Sequence, residues 1–187
     1  MTGFAFCGSH CNLKNALMAA KRLADANIDL LPIFSFSVSN INTRFWNAEE
    51  FCKQAESICG KRGIYTIAEA EPLGPMRPLD HLIICPCTGN TLARLAAGIC
   101  DTPVTMAAKA HLRRDGRILL CPASNDALGA GMKNIAALTV RKNYFFTPMV
   151  QDDTVNKPYS LVSDFTRVEE AYAAMREGRQ LRPMFIY

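Results

Sequence analysis

Short apolar runs alternate with amphipathic segments along the whole chain. The first run, residues 3–7, stops at Gly8-Ser9. Behind it Leu13, Leu17, Ala20 and Ala24 recur at helical spacing on one face. Asn27-Ile28-Asp29 breaks that helix, and residues 30–36 predict a second strand. Residues 37–47 are polar with an aromatic interruption, 48–57 predict a helix ended by Gly60, and 64–67 predict a third strand. Three prolines and a glycine make 69–80 a loop. Residues 82–85 read as a buried strand of the parallel type, stopped by Pro86, and 91–99 as a helix. Pro103 opens a helix through 112, and 118–121 predict a fifth strand stopped by Pro122. A Gly- and Ala-rich loop, a helix at 133–142 and a sixth strand at 144–147 follow. The chain closes with a polar loop to 163 and a helix at 164–177, with Asp164 as N-cap and Gly178 as the residue past its end.

Strands that alternate with helices predict an α/β fold, a six-stranded parallel sheet covered on both faces. In such a fold ligands bind beyond the C-terminal ends of the strands, where the strand order reverses. The 187 residues suit a single domain, 1–187. With 49% hydrophobic and 20% charged residues, the composition excludes intrinsic disorder. The net charge is +4, and the best short basic cluster, Arg113, Arg114 and Arg117, suits a helix end or turn; nucleic acid is not an expected partner. No apolar stretch reaches the roughly 18 residues of a membrane span, and the N-terminus does not read as a signal peptide. The expected location is the cytoplasm, where the eight cysteines stay thiols. Their spacing holds no CxxC pair, so no metal site is expected.

Candidate chemistry gathers in the loops after the strands. Gly8-Ser9 joins a strand to a helix and offers a bare backbone, a hydroxyl and free N–H groups to an anion, although on the dipeptide alone a tight turn with Ser9 as cap is the simpler reading. Ser35 and Ser37 close the second strand and could complete a phosphate cup. The fourth loop is the strongest: Pro86-Cys87-Thr88-Gly89-Asn90-Thr91 leads into a small-residue helix, and its side chains suit an anion or a heteroaromatic edge. The fifth, Pro122-Ala123-Ser124-Asn125-Asp126, repeats the design, so that two loops could wall a planar group from two sides.

These residues resemble the homo-oligomeric flavin-containing cysteine decarboxylase superfamily, which has a Rossmann-like three-layer α/β/α flavoprotein fold. The resemblance rests on Gly8-Ser9, on the loop 86–91, on the Arg-x-Ala-x-Gly-x-x-Asp helix from Arg94 to Asp101, and on Pro122-Ala123-Ser124-Asn125. A closer similarity, to the B subunits of dipicolinate synthases, is carried by GSHC at 8–11, NTRF at 42–45, EAEPLGP at 69–75, TGNT at 88–91, SNDALG at 124–129 and KPYSLV at 157–162. It implies FMN held by Gly8, Ser9, Ser35, Ser37, Thr88, Gly89, Asn90, Thr91 and Ser124, with Asn125 near the ring or the substrate. It also implies a homo-oligomer, a trimer or a multiple of trimers. Its partner would be a dehydrogenase-like A subunit carrying NAD(P), and the product pyridine-2,6-dicarboxylate.

The decarboxylases carry a histidine in the segment before the position of Asp80, where this chain offers Glu69 and Glu71. Glu71 is therefore a candidate base, and His10, beside the phosphate turn, a second catalytic candidate. Arg44 and Lys109 are the candidate partners of a dicarboxylate. Three readings stay open: a flavin subunit working with a dehydrogenase, an independent FMN-dependent decarboxylase or oxidoreductase, and a flavin-free assembly subunit.

Overall fold

A computed structural model describes residues 1–186. Seven strands form its sheet. The first, β1 (Thr2–Phe6), leads through a 3-10 turn to α1 (Leu13–Asp25), and β2 (Leu30–Phe34) follows. After the five-residue α2 (Phe36–Asn40) comes α3 (Ala48–Cys59), started by the Asn47 side chain, which accepts from Glu50 N at 3.1 Å. A short α4 (Ile67–Ala70) precedes β3 (His81–Cys87), α5 (Gly89–Ala97) and α6 (Pro103–Leu112). Then come β4 (Arg117–Ser124), α7 (Met132–Thr139), β5 (Tyr144–Phe146), β6 (Met149–Val150), β7 (Leu161–Ser163) and α8 (Val168–Arg176).

Five strands are parallel in the order β2-β1-β3-β4-β5. Their continuous apolar runs are explained by burial on both faces. On one side Phe4, Phe6, Phe34, Ile83 and Leu119 pack with α1, α3 and α8. On the other Ala5, Leu31, Ile33, Leu82, Ile84 and Leu120 pack with α5, α6 and α7. Chain order reverses between β1 and β3, so the loops after these strands part and leave a crevice.

The six-stranded, all-parallel expectation needs correction. Residues 64–67 make only an isolated bridge, Ile33 to Ile64. Thr66 instead caps α4, its hydroxyl accepting from Glu69 N while the Glu69 carboxylate accepts from Thr66 N. That reciprocal pair draws the backbone into a helical turn. Pro86 and Pro122 lie inside strands rather than ending them; the ladder shifts register between Ile84 and Cys87, and Cys87 then pairs with Pro122. The polar stretch before residue 163 contains β6 and β7, an antiparallel hairpin whose β7 continues the sheet from the second half of β4, Ala123 against Val162 and Ser124 against Leu161. The first half of β4 pairs with β5.

Both margins of the parallel sheet are closed. Beside β2, Ile64 exchanges hydrogen bonds with Pro32 O and Phe34 N at 2.9 Å each. Beside β5, the Gln180 amide accepts from Phe146 N at 2.8 Å and donates to Phe146 O at 2.7 Å.

Candidate functional site

The crevice at the β1/β3 crossover opens into a cleft of about 920 Å³. Its floor is the Cys7 end of β1, where the thiol takes a 3.4 Å hydrogen bond from the Thr91 hydroxyl. Burial pushes the Cys7 pKa up to about 11, although the Thr91 bond pulls the other way. Cys85, Cys87 and Cys121 lie buried at the same end of the sheet, and burial likewise lifts the Cys85 and Cys87 thiols well above their ordinary range. At the floor itself the Cys7 thiol is thus held protonated and weakly polar.

Three loops build the first wall. Gly8, Ser9 and His10 follow β1; Ser35 and Ser37 follow β2; Thr88, Gly89, Asn90 and Thr91 follow β3. Thr88 caps α5, its hydroxyl accepting from Thr91 N and sharing a 3.1 Å bond with Thr91 Oγ1. Ser35 and Ser37 share another at 3.1 Å, and Asn12 donates to Ser9 Oγ at 3.0 Å. Two glycines keep this wall thin. A Cβ at Gly8 would collide with Ser37 Oγ, and one at Gly89 would stand 2.6 Å from Ser124 Oγ and 3.1 Å from Asp126 Oδ1. A side chain at either place would push aside Ser37 or Ser124 and reshape the cleft. Partial burial holds the His10 imidazole below its usual pKa, hence neutral at physiological pH.

The opposite wall comes from the loop after β4, the start of α7 and the β6–β7 hairpin. Ser124 donates to the Asp126 carboxylate, and Asn125, Lys133 and Asn134 stand beside them. In the hairpin loop, Asp152 accepts from Lys157 Nζ at 2.9 Å and from Ser160 Oγ at 2.6 Å. Burial works to raise the Asp152 pKa, but these bonds outweigh it and hold the carboxyl below its ordinary range. Leu128 N donates to Tyr159 O at 2.8 Å, so the two parts of this wall are tied together.

All nine residues expected at the cofactor, with His10 and Asn125, line this one cleft. Glu71, Arg44 and Lys109 do not. Glu71 is exposed at the start of a 3-10 turn, in a segment whose Gly74 packs on Ala110, in the C-terminal half of α6 and therefore toward the start of the strands. Lys109 is exposed on α6, 3.4 Å from Cys100 Sγ. Arg44 lies over the Phe45 ring at the surface, and only Phe45 reaches the cleft. The sequence reading missed Asp126, Lys133, Asp152 and Lys157. Lys133 and Lys157 fall in segments read as helix surface and plain loop, so their spacing carried no signal.

The flavoprotein family profile matches residues 18–180. The B subunit of dipicolinate synthase from Bacillus subtilis (strain 168) is 37% identical over 184 residues, 98% of this chain and 92% of that protein. The crystal structure of the dipicolinate synthase B subunit from Bacillus halodurans superimposes with a TM-score of 0.91 at 34% identity, covering 100% of this chain and 95% of that one. The FMN-dependent cysteine decarboxylase SpaF shares the fold, with a TM-score of 0.67 at 17% identity, over 95% of each chain. The chain belongs to the flavoprotein family and, within it, to the group formed by the B subunits of dipicolinate synthases.

Proposed function

We propose that this chain is the flavin-binding B subunit of a dipicolinate synthase, an oxidoreductase that works with a dehydrogenase-like A subunit carrying NAD(P). The observation that carries the reading is the single cleft that gathers Gly8, Ser9, Ser35, Ser37, the loop from Thr88 to Thr91 and Ser124, with no Cβ on its wall at Gly8 and Gly89. The residues present fit FMN. Ser9, Ser35 and Ser37 offer hydroxyl donors to its phosphate, Thr88, Asn90 and Thr91 offer polar edges to its ring system, and Gly89 and Ser124 bound it where the two walls approach each other. When bound, FMN supplies a two-electron acceptor.

The chain's own groups do the rest. The Asn125 amide orients the substrate from the opposite wall, and neutral His10 is able to take up a proton at physiological pH. The protonated Cys7 thiol at the floor offers no competing charge. The substrate is a tetrahydrodipicolinate-type diacid. Exposed Phe36, Ile41 and Phe45 near the rim give a homo-oligomer, a trimer or its multiples, an apolar surface to cover.

Absorbance spectra of the purified protein, followed by titration with FMN, test the reading. One FMN per chain is expected, and Ser9→Ala and Asn90→Ala should each weaken it. No binding with FMN in excess would overturn the flavoenzyme and leave a flavin-free assembly subunit.

A further inference from the structure

Three cations reach the cleft: Arg94, Lys133 and Lys157. Arg94 belongs to α5, on the same side as Thr88 and Thr91, and donates through Nε to Asp101 at 2.9 Å. Lys133 and Lys157 belong to the other wall. Lys133 sits in the first turn of α7, and Lys157 in the hairpin loop. The contact of Leu128 N with Tyr159 O joins the segments that bear them.

Of the two carboxylates on this side, each already has partners. Asp126 takes the Ser124 hydroxyl. Asp152 takes Ser160 and Lys157, which fixes the Lys157 ammonium at the wall while leaving two of its three N–H donors free. Lys133 is an exposed lysine beside the Asn134 amide. One wall thus presents two separate ammonium groups on two separate elements, one of them held in place.

A pyridine-2,6-dicarboxylate skeleton carries its two anionic groups apart, on either side of the ring nitrogen. A single cation satisfies one of them, and the other gives up water on binding at a cost unless it too is paired. We propose that Lys133 and Lys157 are the residues that read the diacid, each receiving one carboxylate, with Asp152 positioning the Lys157 ammonium. This inference rests on the dipicolinate synthase reading and assigns the substrate end of that same cleft.

Isothermal titration of the full chain with pyridine-2,6-dicarboxylate and with pyridine-2-carboxylate tests it. The wild type should bind the diacid about tenfold more tightly than the monoacid, the size of one charge-assisted hydrogen bond. Lys133→Gln and Lys157→Gln should each lose about tenfold for the diacid and erase the preference. Lys133→Arg and Lys157→Arg, which keep the charge, should retain it. Wild-type preference that survives both glutamine variants would overturn the assignment and leave the diacid reading standing. A wild type that binds neither acid would sink the diacid reading and this inference with it, whatever its FMN content.

Discussion

Replacing Gly8 by alanine separates sterics from ligand recognition in the cleft. The new Cβ would overlap Ser37 Oγ, stand 3.0 Å from Ser37 Cβ and 3.3 Å from His10 Nε2. Ser37 must turn away and give up its 3.1 Å bond to Ser35. The overlap exists with or without ligand, so the fold should lose about 1–3 kcal/mol, the usual cost of overpacking. The displaced hydroxyl also leaves the phosphate cup. A hydrogen bond to a charged group contributes about 1.5–3 kcal/mol, so the Kd for FMN should rise roughly 10- to 150-fold. Removing the Ser37 hydroxyl as well distinguishes the two effects. Gly8→Ala/Ser37→Ala should melt at a higher temperature than Gly8→Ala, because the Oγ overlap is gone, yet bind FMN no better. Thermal melts of the apo chain and quenching of FMN fluorescence provide the readouts. The reasoning fails if Gly8→Ala binds FMN like the wild type, or if the second substitution brings no recovery in the melt.

The Glu69 carboxylate accepts from Tyr65 N at 2.9 Å, Thr66 N at 3.0 Å and Arg62 Nη1 at 2.8 Å, and the backbone bond from Tyr65, helped by Arg62, lowers its pKa to about 2. A carboxyl lowered on folding stabilises above its ordinary range, and the gain is lost as pH falls toward 2. Glu69→Gln should cost about 1–2 kcal/mol at neutral pH and flatten that acid limb in urea unfolding; an unchanged limb would refute it. Iodoacetamide should label Cys11, exposed in the cleft, ahead of the buried Cys7, Cys85, Cys87 and Cys121, and bound FMN should slow it; peptide mapping reads both. Gln180→Ala should uncover the β5 margin and raise light scattering on warming while leaving FMN affinity unchanged.

The parallel sheet was legible because strands buried on both faces spell themselves out as unbroken apolar runs, as at residues 82–85 and 118–121. Prolines misled at 86 and 122, because a register shift lets the ladder continue past them. At 64–67 the local apolar pattern lost to a capping box that was itself in view as Thr66-x-x-Glu69. Strands as short as Met149–Val150 and Leu161–Ser163 carry too few residues for a period to show, and pairing with distant segments defines them: each other, β4 and, for Met149, Phe185. In the site, the residues that follow strands were found because topology sends every such loop to one end. Glu71 and Lys109 were misplaced for the same reason in reverse: one precedes a strand and the other lies late in a helix running back. Lys133 sits on α7, in a segment that reads as plain helix surface, and Lys157 depends on a hairpin folding over from later in the chain, which no local pattern announces.

The closed margins of the sheet bear on how copies of this chain can meet. Ile64 occupies the backbone groups beside β2, and Pro32 there has no N–H to offer a newcomer. Gln180 plays the part of a neighbouring strand beside β5 with a single side-chain amide. Neither end of the five-stranded ladder can therefore be extended by another subunit's backbone, the route that leads to open-ended fibres. An assembly that meets at these two margins has to form between side-chain surfaces, whose shape sets a fixed angle between subunits.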